Sequence, residues 1–189
     1  MAIHLGGIGQ RSRRGAGSLR MLEVSGYDGP LQPIHELTPK EHASQLVKGL
    51  SHVRRICAPG IHPYIPTEPR YPSLHPVFAR IAVANAPWGK DDKDEKPVRL
   101  GIMETRRDCH RNPYHPGQAE HEFGAVKNGR LSSPLWVRVA DISANQSLIV
   151  LTLMKHVGAS SKHPQWDLVE RFMKHECWRN IADVAIPEK

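Results

Sequence analysis

The chain has 189 residues, 39% of them hydrophobic, and its 26 lysines and arginines against 19 acidic residues give a formal net charge of +7. This length suits one domain, or one domain with part of a second. The charge favours a polyanionic partner, nucleic acid ahead of a membrane surface, with solubility alone as the alternative. Three distant cysteines without a C-x-x-C pair argue against a secreted disulfide framework and indicate a reducing cytoplasm. No apolar run approaches the roughly 20 residues of a membrane helix.

The chain opens with a glycine- and arginine-rich run. Residues 4–21 read HLGGIGQRSRRGAGSLRM, with five glycines, four arginines and no acidic residue. Glycines let a ligand approach the main chain, exposed N–H groups form anion sites, and arginines supply planar donors for phosphate oxygens. The run lacks the P-loop lysine and leads into a predicted strand at 18–24 rather than a helix, so neither ATP nor dinucleotide binding is predicted. A flexible basic tail is the alternative.

Residues 38–58 have the clearest helix pattern in the sequence. Thr38 suits the N-cap, Pro39 the first helical position, and Glu41 completes a T-x-x-E capping box. One apolar stripe recurs at steps of three and four residues. Its members are Ala43, Leu46, Leu50, Val53 and Cys57.

The remaining segments alternate between irregular and regular patterns. The proline-rich residues 59–76 and the charged residues 85–97 are predicted to be loops. The regular segments, in chain order, are a strand at 77–84, a short helix at 98–108, a strand hairpin at 134–142 and 147–154, a helix at 164–178 and a strand at 180–186.

This order fits an α+β, ferredoxin-like (RRM-like, βαββαβ) module, in which helices back an antiparallel sheet, with long loop insertions. Alternation in the first hairpin strand places Leu135 and Val137 on one face and Trp136 and Arg138 on the other. The latter two either stack on a base, as in RRM-like sheets, or are covered by a helix or a partner.

Two segments resemble a known family. The run LGGIGQRSRRGAGSLRM resembles the glycine-rich signature of the RAMP proteins of type III CRISPR effector complexes. The match is closest to the first-subunit family of the Cmr series (type III-B). Far downstream and in the same order, EFGAVKNGRLSSPLWVRV (122–139) resembles that family's segment in which an FG-containing stretch leads to RxSPL and a strand.

The resemblance implies a non-catalytic subunit that contacts guide RNA, target RNA or both in an antiviral ribonucleoprotein. Its partners are then other RAMP subunits, with no membrane and no cofactor. The implied RNA-binding residues are Gly6, Gly7, Gly9, Arg11, Ser12, Arg13, Arg14, Gly15, Gly17, Ser18, Arg130, Ser132 and Ser133. The last three precede a strand, and the alternative for them is a polar turn.

The resemblance also implies a domain division. In that family a whole RRM-like module precedes the glycine-rich loop. We therefore expect residues 1–24 to be the loop and last strand of a truncated first module. Residues 25–189 are expected to form the second module, and the chain to be a C-terminal fragment or one half of a split protein.

Other chemistry is less well supported by the sequence. Other RAMP proteins cleave CRISPR RNA with a histidine, which makes His4 the residue to test, but no second acid or base can be placed beside it. A purely structural module, whose arginines pair with acidic residues of a neighbour, is a third possibility. Zinc is not predicted, because the candidate ligands lack paired knuckle spacing. These candidates are Cys57, His62, Cys109, His110, His115 and His121.

Overall fold

A computed structural model describes residues 37–57, 74–86, 101–102, 104–105, 108–109, 133–141, 147–156 and 166–187. The predicted strand at 18–24 lies outside these residues. The elements are α1 (Pro39–Cys57), β1 (Ala79–Asn85), β2 (Leu135–Asp141), β3 (Ser147–Met154), α2 (Trp166–Met173) and β4 (Arg179–Val184). Residues 101–102, 104–105 and 108–109 are also helical, and we call them the crossover helix. No helix in the described part of the chain is long and apolar enough to cross a bilayer.

The four strands form one antiparallel sheet in the order β2-β3-β1-β4. Ala82 of β1 lies opposite Leu151 of β3, which in turn lies opposite Val137 of β2. Because β3 separates β1 from β2 and is antiparallel to both, β1 and β2 run in the same direction. This is the strand order of a ferredoxin-like module, and it confirms the predicted α+β fold class and the predicted hairpin.

Both faces of the sheet are buried. One face forms the α2 core with α2 and the crossover helix, comprising Ala82, Ala84, Ile102, Leu135, Val137, Ile149, Leu151, Leu153, Leu168, Val169, Phe172, Met173 and Trp178. The other face forms the α1 core, comprising Ala43, Leu46, Leu50, Ile81, Val83, Ala140, Leu148, Val150 and Val184. Strand β3 contributes to both cores, which explains why its sequence is apolar almost throughout instead of alternating.

The capping box predicted for α1 is formed. The backbone N–H and the hydroxyl of Thr38 both donate to Glu41 Oε2, at 2.8 and 2.7 Å, and the Glu41 N–H donates to Thr38 Oγ1 at 3.3 Å. These bonds satisfy backbone donors that the first helical turn leaves unpaired. Glu41 accepts them as a carboxylate, and the backbone and hydroxyl bonds from Thr38 lower its pKa.

The position of α1 differs from its expected place in the βαββαβ order. The crossover helix, between β1 and β2, packs on the same sheet face as α2 through Ile102 and the half-buried Cys109. The split βαβ unit therefore begins at β1, and α1 is an additional helix that lies across β1 and β4 on the opposite face. An apolar stripe predicts a helix, but it does not specify which face of a two-sided sheet that helix covers.

The helix predicted at 164–178 is shorter than expected. Helix α2 ends at Met173, and the chain turns before β4 begins. The indole N–H of Trp178 donates to the Phe172 carbonyl at 2.6 Å, and this tryptophan packs edge to face on the Phe172 ring at a centroid distance of 5.4 Å. The Phe172 carbonyl also accepts the His175 N–H at 3.2 Å, so Trp178 adds a second hydrogen bond at the end of the helix. Cys177 lies in the turn instead of on the helix.

Candidate nucleic-acid interface

The sheet face on which RRM-like modules stack bases is closed in this chain. That face lies opposite the two helices of the βαββαβ unit. Here α1 packs on it, and the inward residues of the two central strands, Ile81, Val83, Leu148 and Val150, are at most 1% exposed. Base stacking on the centre of the sheet is therefore excluded without displacement of α1.

Arg138 and Trp136 lie on this same face, toward the β2 edge. Arg138 is only 2% exposed, and burial lowers the pKa of its guanidinium to about 10, which leaves it cationic at neutral pH. Trp136 is half-buried and lies opposite the buried Thr152 of β3. The sequence left open whether Trp136 and Arg138 stack on a base or are covered. Arg138 is covered, so a base cannot reach it from solvent.

The outer surface of α1 is the most basic surface in the described part of the chain. The described residues together include ten lysines and arginines and eight acidic residues. Helix α1 contributes four of the basic residues and one of the acidic ones, so the remaining described residues have six against seven. The basic residues of α1 are Lys40, Lys48, Arg54 and Arg55.

The two adjacent arginines at the end of α1 have different environments. Arg54 is half-buried, and its Nη1 donates to the carbonyl of Pro187, which ties the end of the helix to the chain beyond β4. Arg55 is exposed, and its guanidinium lies 3.2 Å from Nδ1 of His52. Arg54 therefore anchors the helix, whereas Arg55 is available to a ligand.

Two other cations of the described residues are neutralised by ion pairs. Arg80 on β1 makes a bidentate contact with Asp183 of the neighbouring strand β4, with N–O distances of 3.0 and 3.2 Å from Nη2. Lys155 donates to Glu170 of α2 at 2.6 Å, and this bond lowers the pKa of the Glu170 carboxyl. These pairs contribute little to polyanion binding because each cation already has an acidic partner.

Two thiols, those of Cys109 and Cys177, pack against the α2 core. The hydroxyl of Thr105 lies 3.5 Å from Sγ of Cys177, and Cys109 is half-buried. No group of three or more metal-ligating side chains occurs among the described residues. Outside the described residues lie the side chain of Cys57 and four histidines considered above as zinc ligands, His62, His110, His115 and His121. Both cysteines are free thiols packed against the core.

Burial makes the Cys109 thiol a poor nucleophile. It raises the thiol pKa from 9.0 to about 11, against a smaller opposing effect of Arg171. We expect iodoacetamide to alkylate Cys109 more slowly in the folded chain than in the denatured chain at pH 8, because the thiolate reacts. Since the folded pKa is the higher one, the thiol's contribution to stability is lost as pH rises from 9.0 toward about 11. Peptide mass spectrometry measures the alkylation rates, and equal rates would contradict this assignment.

Most of the RNA-binding residues implied by the family resemblance lie outside the described residues. These are Gly6, Gly7, Gly9, Arg11, Ser12, Arg13, Arg14, Gly15, Gly17, Ser18, Arg130 and Ser132. Ser133 is described. It is buried, and its Oγ accepts a hydrogen bond from the Leu135 N–H at 3.2 Å, so in the chain alone this hydroxyl serves the start of β2. An RNA contact by Ser133 stays a prediction.

A comparison with solved structures supports this fold. An antiparallel sheet of this strand order defines the ferredoxin-like fold, which proteins of many functions share. The crystal structure of Cmr1 from Pyrococcus furiosus, in its apo form, superposes on this chain with a TM-score of 0.51 at 18% sequence identity. The match covers 97% of this chain and 56% of Cmr1, so the chain spans little more than half the length of that protein. No family model and no curated protein matches the sequence.

Proposed function

We propose that the chain is a non-catalytic RNA-binding subunit of a type III-B CRISPR effector complex. The observation that carries this proposal is the fold shared with Cmr1 over 97% of the chain. The resemblance of residues 5–21 and 122–139, in the same order along the chain, to two segments of the Cmr first-subunit family supports it independently, as does the net charge of +7.

The closed sheet favours contacts to the RNA backbone over base readout. Contacts to phosphates position a protein on nucleic acid without carrying sequence information. In the proposed subunit, the glycine-rich run supplies N–H groups and the side chains of Arg11, Arg13 and Arg14, and Arg130 with Ser132 forms a second contact to RNA or to a neighbouring RAMP subunit.

The affinity of the full chain for labelled guide RNA, measured against salt concentration, tests this proposal. For single strands the logarithm of the binding constant falls by about 0.7 per neutralised phosphate for each tenfold rise in salt. We expect a linear decrease with a slope of about −2 or steeper, corresponding to three or more phosphates, and similar affinities for the guide and a scrambled RNA of equal length.

The same preparation distinguishes the proposal from an RNA-processing enzyme. Incubation with CRISPR repeat RNA in EDTA is expected to leave the RNA intact. Cleavage that is lost on His4→Ala would contradict the non-catalytic role and establish an endoribonuclease. Failure to bind RNA, alone and in the assembled complex, would contradict the RNA-binding role and favour a purely structural module.

A further inference from the structure

One exposed stripe runs along the whole outer face of α1. It consists of residues at successive steps of four, four, three and four, which stack on one side of a helix. From end to end the stripe measures about 22 Å at 1.5 Å per residue. Its members, all exposed, are Lys40, Ser44, Lys48, Ser51 and Arg55.

The stripe alternates cations with small neutral residues. Ser44 and Ser51 donate their hydroxyl protons to the carbonyls of Lys40 and Val47, each at 2.9 Å, so both serines stay close to the helix surface. Among the described residues, the ammonium groups of Lys40 and Lys48 have no hydrogen bond or ion pair. Three cations thus project at intervals of about 10 to 12 Å with no acidic residue between them on the stripe.

The helix that carries the stripe is fixed at both ends. Glu41, the one acidic residue of α1, is bound by Thr38 in the capping box at its start. At its end Arg54 contacts the Pro187 carbonyl, and Leu46 and Leu50 hold the inner side against the sheet. A rigid ridge loses less conformational freedom on binding than a flexible basic tail does.

We infer that this stripe, Lys40–Lys48–Arg55, binds the phosphodiester backbone of single-stranded RNA. The inference rests on the proposed RNA-binding function and adds a contact surface distinct from the glycine-rich run and from Arg130. Evenly spaced cations that follow one line suit a strand of regularly spaced phosphates, as in the basic grooves that track single strands. Because α1 closes the sheet face beneath it, its outer side is the surface this face of the module presents to RNA.

The triple variant Lys40→Ala, Lys48→Ala, Arg55→Ala in the full chain tests the inference. Loss of three phosphate contacts lowers the salt slope by about 2 and the affinity at 0.1 M salt by about 100-fold. The matched control is Arg171→Ala, Lys174→Ala, Arg179→Ala, which removes three exposed cations outside α1. We expect the control to bind guide RNA within about threefold of the unmodified chain, because long-range charge effects are screened at this salt concentration. Replacing the stripe cations conservatively, as Lys40→Arg and Lys48→Arg, should retain binding.

Each result decides the inference. Equal loss in the stripe and control variants would overturn it, because net charge alone would then explain binding. Normal RNA binding by the stripe variant, with loss of co-purification with a neighbouring subunit, would also overturn it and assign the stripe to an acidic protein surface; the proposed function would stand. Absence of RNA binding by the unmodified chain, alone and in the complex, would overturn both. Circular dichroism establishes that α1 remains folded in each variant.

Discussion

Phe172→Ala is expected to lower the free energy of unfolding by about 3–5 kcal/mol. The ring is fully buried in the α2 core, where it contacts the Trp178 indole edge to face. Truncation leaves a cavity between α2 and the sheet and removes the packing that holds Trp178 over the end of the helix. Urea unfolding followed by tryptophan fluorescence and far-ultraviolet circular dichroism measures the change.

Two further variants keep this prediction testable. Small domains are stabilised by only about 5–15 kcal/mol, so the alanine variant can fall below the threshold for folding. Phe172→Leu retains most of the volume and is expected to cost about 1–2 kcal/mol. Arg171→Ala changes the exposed neighbour on the same helix and is expected to cost less than about 0.5 kcal/mol. Equal losses for Phe172→Leu and Arg171→Ala would contradict the packing described for α2.

A loss of RNA affinity as large as that of the stripe variant is expected from Arg11→Ala, Arg13→Ala, Arg14→Ala in the glycine-rich run. These guanidinium groups remain charged at every physiological pH and suit phosphate oxygens in their geometry. If each neutralises one phosphate, the salt slope falls by about 2 and the affinity for guide RNA at 0.1 M salt falls by about 100-fold. Guide and scrambled RNA should lose affinity equally, because contacts to the backbone do not read sequence.

A charge-preserving variant separates chemistry from net charge. Arg11→Lys, Arg13→Lys, Arg14→Lys keeps three positive charges but loses the planar fork of donors. We expect it to keep the salt slope of the unmodified chain with a smaller loss of affinity. An alanine variant whose affinity and salt slope are unchanged would show that the glycine-rich run does not contact RNA, and binding would then have to be sought on α1.

Local patterns in the sequence predict most of the described elements. The T-x-x-E box at Thr38 fixes the start of α1, and the alternation around Val137 fixes which side of β2 faces the α2 core. The nearly continuous apolar run of β3 indicates a strand buried on both faces. Each of these patterns involves only residues that are close together in the sequence.

Long-range arrangement is the part that the sequence does not predict. The predicted apolar stripe of α1 is not buried along its whole length, because Val53 is 39% exposed. The weak pattern at 98–108 gives little sign that Ile102 packs in the α2 core as part of the βαββαβ unit. Both outcomes depend on how the helices pack on the sheet, and contacts between residues far apart in the chain determine that packing.

The candidate site divides in the same way. The glycine-rich run was identified from its composition and from resemblance to a family, and it lies outside the described residues. Nothing in that composition indicates that α1 covers the centre of the sheet, or that Arg138 on β2 is buried. The spacing around Lys48 predicts that the cations of the stripe share one side of α1. Whether that side is exposed depends on which side of α1 packs on the sheet.

Cross-linking within an assembled type III-B complex tests the central claim most directly. Ultraviolet irradiation of the complex, followed by mass spectrometry of RNA-linked peptides, identifies the segments of this chain that lie against nucleotides. We expect cross-links in residues 4–21 and along the outer face of α1, with none on α2. A complex that contains this chain and guide RNA, but whose cross-links all fall on other subunits, would contradict the claim.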